Sequence, residues 1–274
     1  MLRIGPAYTL LGDDNALAPL PLWLVVLPNF FSNRTQIFMK HITSLLLVAS
    51  LAAVIPASHA GDITGTITLK GTAPKEKEIT PLKDDPNCGK LHSEMPTTHF
   101  YVVGGKGELA DVIVSVSGPG LAGKSTGASA QGVVLDQKGC EYSPSIMAVQ
   151  TDQKIIVKTS DPVPHNVHAQ PTVDGNKEEN KAQMPGGSDL SFTFSKPEEF
   201  LKFKCDIHPW MFAWVCVLDN PYFAVSAKDG TFKIANVPPG KYTIKASHRK
   251  LGTATQEVEV KADAAKVDFT LEAK

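Results

Sequence analysis

The chain has 274 residues, of which 42% are hydrophobic and 20% are charged, and its formal net charge is −1 at pH 7. The near balance of 27 basic and 28 acidic residues excludes a protein that binds nucleic acid mainly through a basic surface. The hydrophobic content excludes a disordered chain, because it is sufficient to form a core. A chain of this length makes one or two domains.

The N-terminal region has the features of an export signal. Lys40 and His41 form a basic start, Ser44–Ile55 is an apolar run, and small residues close the segment. The run is shorter than the roughly 20 residues that span a bilayer, which makes a membrane anchor the weaker alternative. We therefore predict a signal peptide over residues 39–60 and a periplasmic or secreted protein of the bacterial cell envelope.

The stretch before this signal fits it poorly, because Pro19, Pro21 and Pro28 interrupt its apolar residues. Met39 is a credible start, so residues 1–38 are predicted to be a non-native upstream extension. A longer leader with an unusual start is the alternative. Nothing after the signal is apolar for long enough to suggest a stable membrane span once the signal is cleaved.

Alternation with period 2 and β-branched residues dominate the chain after the signal. Turn residues separate these runs, residues 174–184 are predicted as a loop or one short helix, and residues 75–83 as a solvated charged loop. The pattern predicts an all-β fold with a β-sandwich. The predicted strands are Ile63–Leu69, Phe100–Val103, Ala110–Val116, Gly132–Leu135, Ser145–Val149, Lys154–Thr159, Asn166–Ala169, Leu190–Phe194, Phe200–Phe203 and Trp214–Leu218.

The sequence pattern changes from Asp219 onward, where predicted sharp turns at 228–230 and 237–240 separate shorter strand-like runs. These runs predict a second, smaller β module over residues 219–274. The stretch is short for an independent core, so we expect it to pack on the first domain or to take a strand from it. Its predicted strands are Phe223–Ala227, Thr231–Ile234, Tyr242–Ser247, Gln256–Val260 and Val267–Leu271.

The most informative stretch reads K-C-D-I-H-P-W-M and places Cys205, His208 and Met211 at C-x2-H-x2-M spacing. A thiolate, an imidazole and a thioether this close together suit copper, and His165 offers a second imidazole upstream. Two His, one Cys and a weak axial Met are the ligands of a mononuclear blue copper site. Zinc is the alternative metal, although a Met at this spacing is unusual for it.

This arrangement resembles the cupredoxins, the family of small blue copper proteins, and among them the amicyanin-like site most. The resemblance covers residues 111–219 and is carried by P-H-N-V-H from Pro164 to His168 and by C-x-x-H-P-[aromatic]-M from Cys205 to Met211. It implies a cupredoxin-like Greek-key β-sandwich and one type 1 copper. The implied equatorial ligands are His165, Cys205 and His208, with Met211 as the axial ligand.

The resemblance also implies roles for residues around the metal. Asn166 would join the two ligand segments by hydrogen bonds. His208, followed by Pro209, would be the ligand nearest solvent and the port for electrons. His168 is expected to share a strand face with His165 and to lie in the core or just outside the ligands.

The C-terminal stretch resembles carboxypeptidase-regulatory-like modules, which are transthyretin-like sandwiches sometimes grouped with carbohydrate-binding folds. The match is the pattern D-G-x-F…P-P-G-x-Y, from Asp229 to Tyr242. The opening strand of such a module is missing after Asp219, and residues 61–80 contain a similar strand. We therefore expect residues 61–80 to complete the C-terminal module and residues 81–218 to form the copper domain. The chain after the signal also resembles exported bacterial proteins labelled methylamine-utilisation or cupredoxin-like.

Four cysteines in an exported protein allow two disulfides, with three connectivities. Cys88 and Cys140 lie in loop-like stretches and are predicted to form a structural disulfide. A second disulfide between Cys205 and Cys216 is the alternative that would remove the copper thiolate. Since Cys216 lies within a predicted strand, we expect it to be a buried free thiol.

These predictions describe a type 1 copper protein that carries single electrons and is not an enzyme, because the motifs include no nucleophile–base pair and no second copper cluster. The family suggests a c-type cytochrome or a dehydrogenase as the redox partner, and the charge balance excludes nucleic acid as a partner. One alternative is a carbohydrate- or surface-binding sandwich with a structural or vestigial metal, where the C-terminal module would take a glycan. Another is copper delivery or storage, which would favour open Met/His-rich sites.

Overall fold

The computed structural model describes residues 59–273, and within them the chain is almost entirely β, as predicted. The predicted extension, and all but the last two residues of the predicted signal, lie outside the described residues. The strands are β1 Gly61–Lys70, β2 Ile113–Ser117, β3 Val133–Gln137, β4 Tyr142–Ser143, β5 Ile146–Gln150, β6 Ile155–Thr159, β7 His165–Gln170, β8 Glu179–Gln183, β9 Leu190–Phe192, β10 Glu198–Lys204, β11 Phe212–Leu218, β12 Phe223–Val225, β13 Thr231–Val237, β14 Gly240–His248, β15 Gly252–Val260, β16 Ala265–Lys266 and β17 Phe269–Glu272.

The helices in this part of the chain are short. The helix α1 covers Thr80–Asp84, and 3-10 turns cover Cys88–Leu91 and Gly127–Ser129. None of the helices between residues 59 and 273 has the length and hydropathy that a membrane span requires.

The larger sandwich is formed by β3 to β11. One sheet has the strand order β5-β11-β10-β7-β8 and the other the order β4-β3-β6-β9. The two sheets share one core, in which the ring of Phe203 meets those of Phe192 and Phe194 edge to face at 5.3 and 6.0 Å. Inward and outward residues alternate along β7, which is why the period-2 pattern found this strand.

The smaller sandwich pairs one sheet in the order β12-β2-β14-β15 with a second sheet in which β1 is central. β1 runs antiparallel to β13 and parallel to β16 and β17. Its inward residues Ile63 and Ile67 are fully buried, and each such burial stabilises the fold by about 1.5–3 kcal/mol. The first described strand is therefore part of the same core as the last one.

One boundary differs from the prediction. β2 falls within the segment 81–218 that was assigned to the copper domain, yet it pairs with β12 and β14 of the smaller sandwich. Val112, Val114 and Val116 pack in the smaller core. The alternation of this strand shows that it has one buried face, but alternation carries no information on which sheet will cover that face.

Three local predictions were wrong. Phe100–Val103 forms no strand, since its pairing is limited to the isolated bridge between Val103 and Leu109. Within 174–184 the chain forms β8, which pairs with β7 through polar residues that carry no hydrophobic alternation. The charged loop 75–83 ends in α1, where Leu82 is completely buried.

Candidate metal centre

Two segments of the larger sandwich bring the predicted ligands together. His165 is the first residue of β7, and Cys205 follows the last residue of β10 directly. The ligand loop, residues 205–211, returns the chain to β11. Its ends are joined by a bond from the Cys205 N–H to the Met211 carbonyl at 3.1 Å, and the Met211 N–H donates to the His208 carbonyl at 2.9 Å.

The side chains of His165, Cys205 and His208 converge on one point and are all buried. The two Nδ1 atoms are 3.0 Å apart, and the Cys205 Sγ lies 3.9 Å from the His165 Nδ1 and 3.6 Å from the His208 Nδ1. Ligand atoms bonded to one metal ion at about 2.0–2.3 Å have similar separations. The three residues could therefore hold a single ion through two imidazole nitrogens and one sulfur.

Met211 is also buried, at 1% exposure, and packs in the core beside Trp210. The thioether is thus on the same loop as the thiol and the second imidazole. With Cys205 free rather than disulfide-bonded, the donor set of two His, one Cys and one Met is available in the fold. This donor chemistry fits copper, as the spacing predicted.

The electrostatics of the cluster favour neutral imidazole at one ligand and thiolate at another. Burial and the neighbouring His165 lower the pKa of His208. Burial opposes ionisation of the Cys205 thiol, but hydrogen bonds from His165 and from backbone groups bring its pKa below the usual range. Burial lowers the pKa of His165, yet its bonds to Asp161 and Cys205 outweigh this effect and raise the pKa to about 9.

Asp161 is a site residue that the sequence analysis missed. Its Oδ2 is 3.0 Å from the His165 Nε2, and the same carboxylate accepts the Cys140 N–H at 2.8 Å. By holding Nε2, Asp161 directs the Nδ1 of His165 toward Cys205. The only signal in the sequence is an acidic residue four positions before His165, which by itself points to no particular role.

Asn166 joins the two ligand segments, as the resemblance implied. From the opposite face of β7, its Oδ1 accepts the Asp206 N–H at 2.7 Å and the Ile207 N–H at 3.3 Å, and lies 3.4 Å from the Cys205 Sγ. These bonds fix the start of the ligand loop against β7.

The expectation that His168 shares a strand face with His165 was wrong. His168 lies three positions after His165 on a strand, so the two rings point to opposite faces. Its Nδ1 is 2.9 Å from Asp206 and its Nε2 is 2.6 Å from Glu178. His168 therefore supports the loop from outside, through Asp206, while Pro209 is exposed in the turn.

His165, Cys205 and Met211 are each 1% exposed, and His208 is the most exposed of the four candidate ligands, as expected. It is only 6% exposed, because the cover segment, residues 79–92, lies over it. The predicted disulfide between Cys88 and Cys140 is confirmed and ties this segment to the larger sandwich. The Cys88 Sγ is 3.6 Å from the His208 Nε2.

The cover segment is held by packing as well as by the disulfide. Ile79, Leu82 and both disulfide cysteines form a small apolar cluster against Trp210. The Trp210 Nε1 donates to the Cys140 carbonyl at 3.1 Å. The hydrophobic pattern of one segment could not predict this contact, because the contact joins residues far apart in the sequence.

The fourth cysteine is a buried free thiol. Cys216 is free and buried within β11, as predicted, and burial raises the pKa of its thiol to about 12. The alternative disulfide between Cys205 and Cys216 is not formed.

Comparison with known families supports the assignment of the C-terminal module. Residues 212–272 match the carboxypeptidase regulatory-like domain family. The match begins within β11, earlier than the boundary at residue 219 that the sequence suggested. No curated protein sequence matches the chain.

Comparison with solved structures finds similarity to copper proteins. A methionine-to-alanine variant of amicyanin in the Cu(I) form is 20% identical, with a TM-score of 0.29, over 38% of this chain and 98% of that chain. A reduced proline-to-phenylalanine variant of amicyanin is 22% identical with the same TM-score and coverage. The copper-containing nitrite reductase of Thermus scotoductus SA-01 is 20% identical with a TM-score of 0.28, over 31% of this chain. The similar region spans only 22% of the nitrite reductase.

Proposed function

We propose that this protein is an exported mononuclear type 1 copper protein that carries single electrons between redox partners. The observation that carries the proposal is the buried convergence of His165, Cys205 and His208, with a free thiol 3.9 and 3.6 Å from the two Nδ1 atoms. Buried polar groups without a structural need are concentrated at functional sites. A copper ion bound there would supply one-electron chemistry between its two oxidation states.

The protein's own residues would keep the site fixed during electron transfer. Asp161 orients His165, and Asn166 holds the ligand loop. The cover segment excludes water from His208. Ligands held in this way need little rearrangement when the charge of the ion changes, which favours a carrier over an enzyme that must open its metal site to substrate.

The partners and the compartment are part of the same proposal. We expect a redox protein such as a c-type cytochrome or a dehydrogenase to exchange electrons with the site. A periplasmic or secreted location agrees with the Cys88–Cys140 disulfide, because disulfides persist in oxidising compartments.

The test is the visible spectrum of the purified chain after addition of copper(II), before and after ascorbate. The proposal predicts an intense blue thiolate-to-copper band that bleaches on reduction, with one copper per chain. Cys205→Ala should abolish the band, whereas the matched variant Cys216→Ala should retain it. A wild-type chain that binds zinc in preference and gives no band, or a C205A chain that stays blue, would refute the proposal.

The carbohydrate-binding alternative would use the C-terminal module, whose family match is its main support. Sugar-binding sandwiches commonly present exposed aromatic side chains as stacking platforms. Tyr242 is buried in the core, and Tyr222 and Phe223 are half-buried. The exposure of these rings therefore favours the electron-transfer proposal, and a glycan array with the metal-free chain would test the alternative.

A further inference from the structure

The disulfide that holds the cover segment lies between the outer nitrogens of the two candidate imidazole ligands. The Cys88 Sγ is 3.6 Å from the His208 Nε2. The Cys140 N–H donates to Asp161, and the same Asp161 oxygen is 3.0 Å from the His165 Nε2. Both cysteines are completely buried. Holding the cover segment requires neither contact, so the two contacts indicate a second role for the disulfide at the metal centre.

The contact with Cys88 determines which nitrogen of His208 carries the proton. A disulfide sulfur has no hydrogen and can only accept, so the Nε2 of His208 is the donor. A neutral imidazole has one N–H group, and the Nδ1 therefore keeps its lone pair. This Nδ1 is 3.6 Å from the Cys205 Sγ and 3.0 Å from the His165 Nδ1. The disulfide thus presents His208 in the tautomer that can bind an ion through Nδ1.

The other half of the disulfide acts on His165 through Asp161. The two oxygens of the Asp161 carboxylate accept the N–H groups of Gly139 and Cys140 at 2.5 and 2.8 Å. A carboxylate can only accept, so the Nε2 of His165 is again the donor. The turn that supplies both N–H groups contains Cys140 at a φ of +54°, in the left-handed region that residues with a Cβ seldom adopt. Such a conformation persists where the surrounding structure holds it, and the bond to Cys88 does so covalently.

We propose that the Cys88–Cys140 disulfide is a positioning element of the metal centre. It fixes the tautomer of His208 directly and the orientation of His165 through Asp161, so that both Nδ1 atoms face the Cys205 thiol and can bind one ion. No bond of the disulfide breaks or forms in this role. The effect on metal binding rests on the proposed copper site, whereas the effect on the His208 tautomer concerns the metal-free chain and can be measured without copper.

Nuclear magnetic resonance of the metal-free full chain tests the tautomer. Long-range correlations between ring hydrogens and ring nitrogens, at mildly alkaline pH, identify the protonated nitrogen of each neutral imidazole. The wild-type chain should hold His208 in the Nε2–H form. Replacing both Cys88 and Cys140 by Ala removes the acceptor, and the ratio of the Nε2–H to the Nδ1–H form should fall about threefold or more, in line with the loss of one hydrogen bond. A wild-type His208 in the Nδ1–H form, or an unchanged ratio in C88A/C140A, would overturn the proposal.

Copper binding tests the consequence for the metal centre. In competition with a copper chelator, C88A/C140A should bind about tenfold more weakly or worse, as is typical when a ligand loses its outer partner. The maximum of the blue band should also move, because the ligand rings are no longer held. Ile155→Ala serves as the matched control, since it opens a cavity in the core of the same sandwich, at the opposite end of β6 from Asp161. It should lower stability and leave the affinity and the band unchanged.

The outcomes separate this inference from the copper proposal. A wild-type chain without a blue band would refute the copper site, and the tautomer measurement would still decide the role of the disulfide. A blue wild-type chain whose C88A/C140A variant has the same affinity and the same band would refute only the positioning role. Equal losses of affinity in C88A/C140A and I155A would mean that the disulfide acts through stability alone, which would also overturn the proposal. The wild-type tautomer stays decisive even if C88A/C140A fails to fold.

Discussion

The candidate metal centre and the core of the smaller sandwich bury very different side chains. The centre packs His165, His208 and Asp161 against one another with almost no solvent contact. The smaller core is mainly aliphatic, with Ile67 and Ile244 completely buried. Since burial of polar groups opposes folding unless they are paired, the polar end of the larger sandwich needs a functional reason, whereas the smaller core needs only stability.

The two regions also differ in how the chain assembles them. The larger sandwich uses the continuous run from β3 to β11. The smaller sandwich combines β1, β2 and the strands from β12 onward, which are far apart in sequence. The smaller core therefore forms only when both ends of the described chain come together. Its stability should be the more sensitive of the two to substitution.

The largest effect should come from a charge in the smaller core. Ile67→Asp would place an unpaired carboxylate at a fully buried position of β1, and we expect a loss of about 5 kcal/mol or more in the free energy of unfolding. Urea denaturation would measure it. Thr64→Asp, on the outer face of the same strand and beside Lys233, should change stability by less than about 0.5 kcal/mol. A loss in Ile67→Asp as small as that in Thr64→Asp would show that Ile67 does not lie in the core.

The disulfide tests how firmly the cover segment is held on the metal centre. Replacing both Cys88 and Cys140 by Ser opens a link between positions 52 residues apart and should cost about 3–4 kcal/mol. His208 should also become more reactive toward diethyl pyrocarbonate in the metal-free chain. Cys216→Ala, which leaves the cover segment in place, should preserve the protection of His208. Full protection in the double Ser variant would mean that packing alone keeps the segment closed.

The pH dependence of the free energy of unfolding should report on the smaller sandwich rather than on the metal centre. Burial lowers the pKa of His248 to about 4, with the Glu76 carboxylate opposing the shift. The unfolded chain, with a pKa near 6.5, binds more protons between these values, so stability is lost as the pH falls from about 6.5 to about 4. The expected total is about 3 kcal/mol.

Chemical denaturation across this pH range gives the measurement. His248→Gln should flatten the dependence, because it removes the titrating group while leaving an amide acceptor near the Lys250 and Leu251 N–H groups. His59→Gln, at an exposed position before β1, should keep the wild-type slope. An unchanged slope in H248Q would assign the effect to other groups.

The smallest expected effect concerns the orientation of one ligand. Asp161→Asn weakens the contact that directs His165, and loss of such an outer partner typically lowers metal affinity 10- to 100-fold, or about 1.4–2.7 kcal/mol. Competition with a copper chelator would measure the affinity. Asp189→Asn, at an exposed position before β9, serves as the matched control. An affinity equal to wild type would remove Asp161 from the site.

The ligand set could be predicted from the sequence because its residues are chemically distinctive and closely spaced. Cys205, His208 and Met211 lie within one loop, so spacing alone placed them together. Asp161 was missed because a single carboxylate has many roles, and only its distance to His165 defines this one. The cover segment was missed because its contact with His208 closes between residues separated by more than a hundred positions.

Local alternation and turn residues determined the β class and most strand positions, because these depend on neighbours along the chain. The chemistry of the cysteines, histidines and methionine predicted the disulfide pair and the donor set. Only the tertiary structure decided that β2 joins the smaller sandwich, that His168 faces away from His165, and that His208 is covered. The reason is that a strand's buried face specifies its need for a partner sheet, while the identity of that sheet follows from the packing of distant segments.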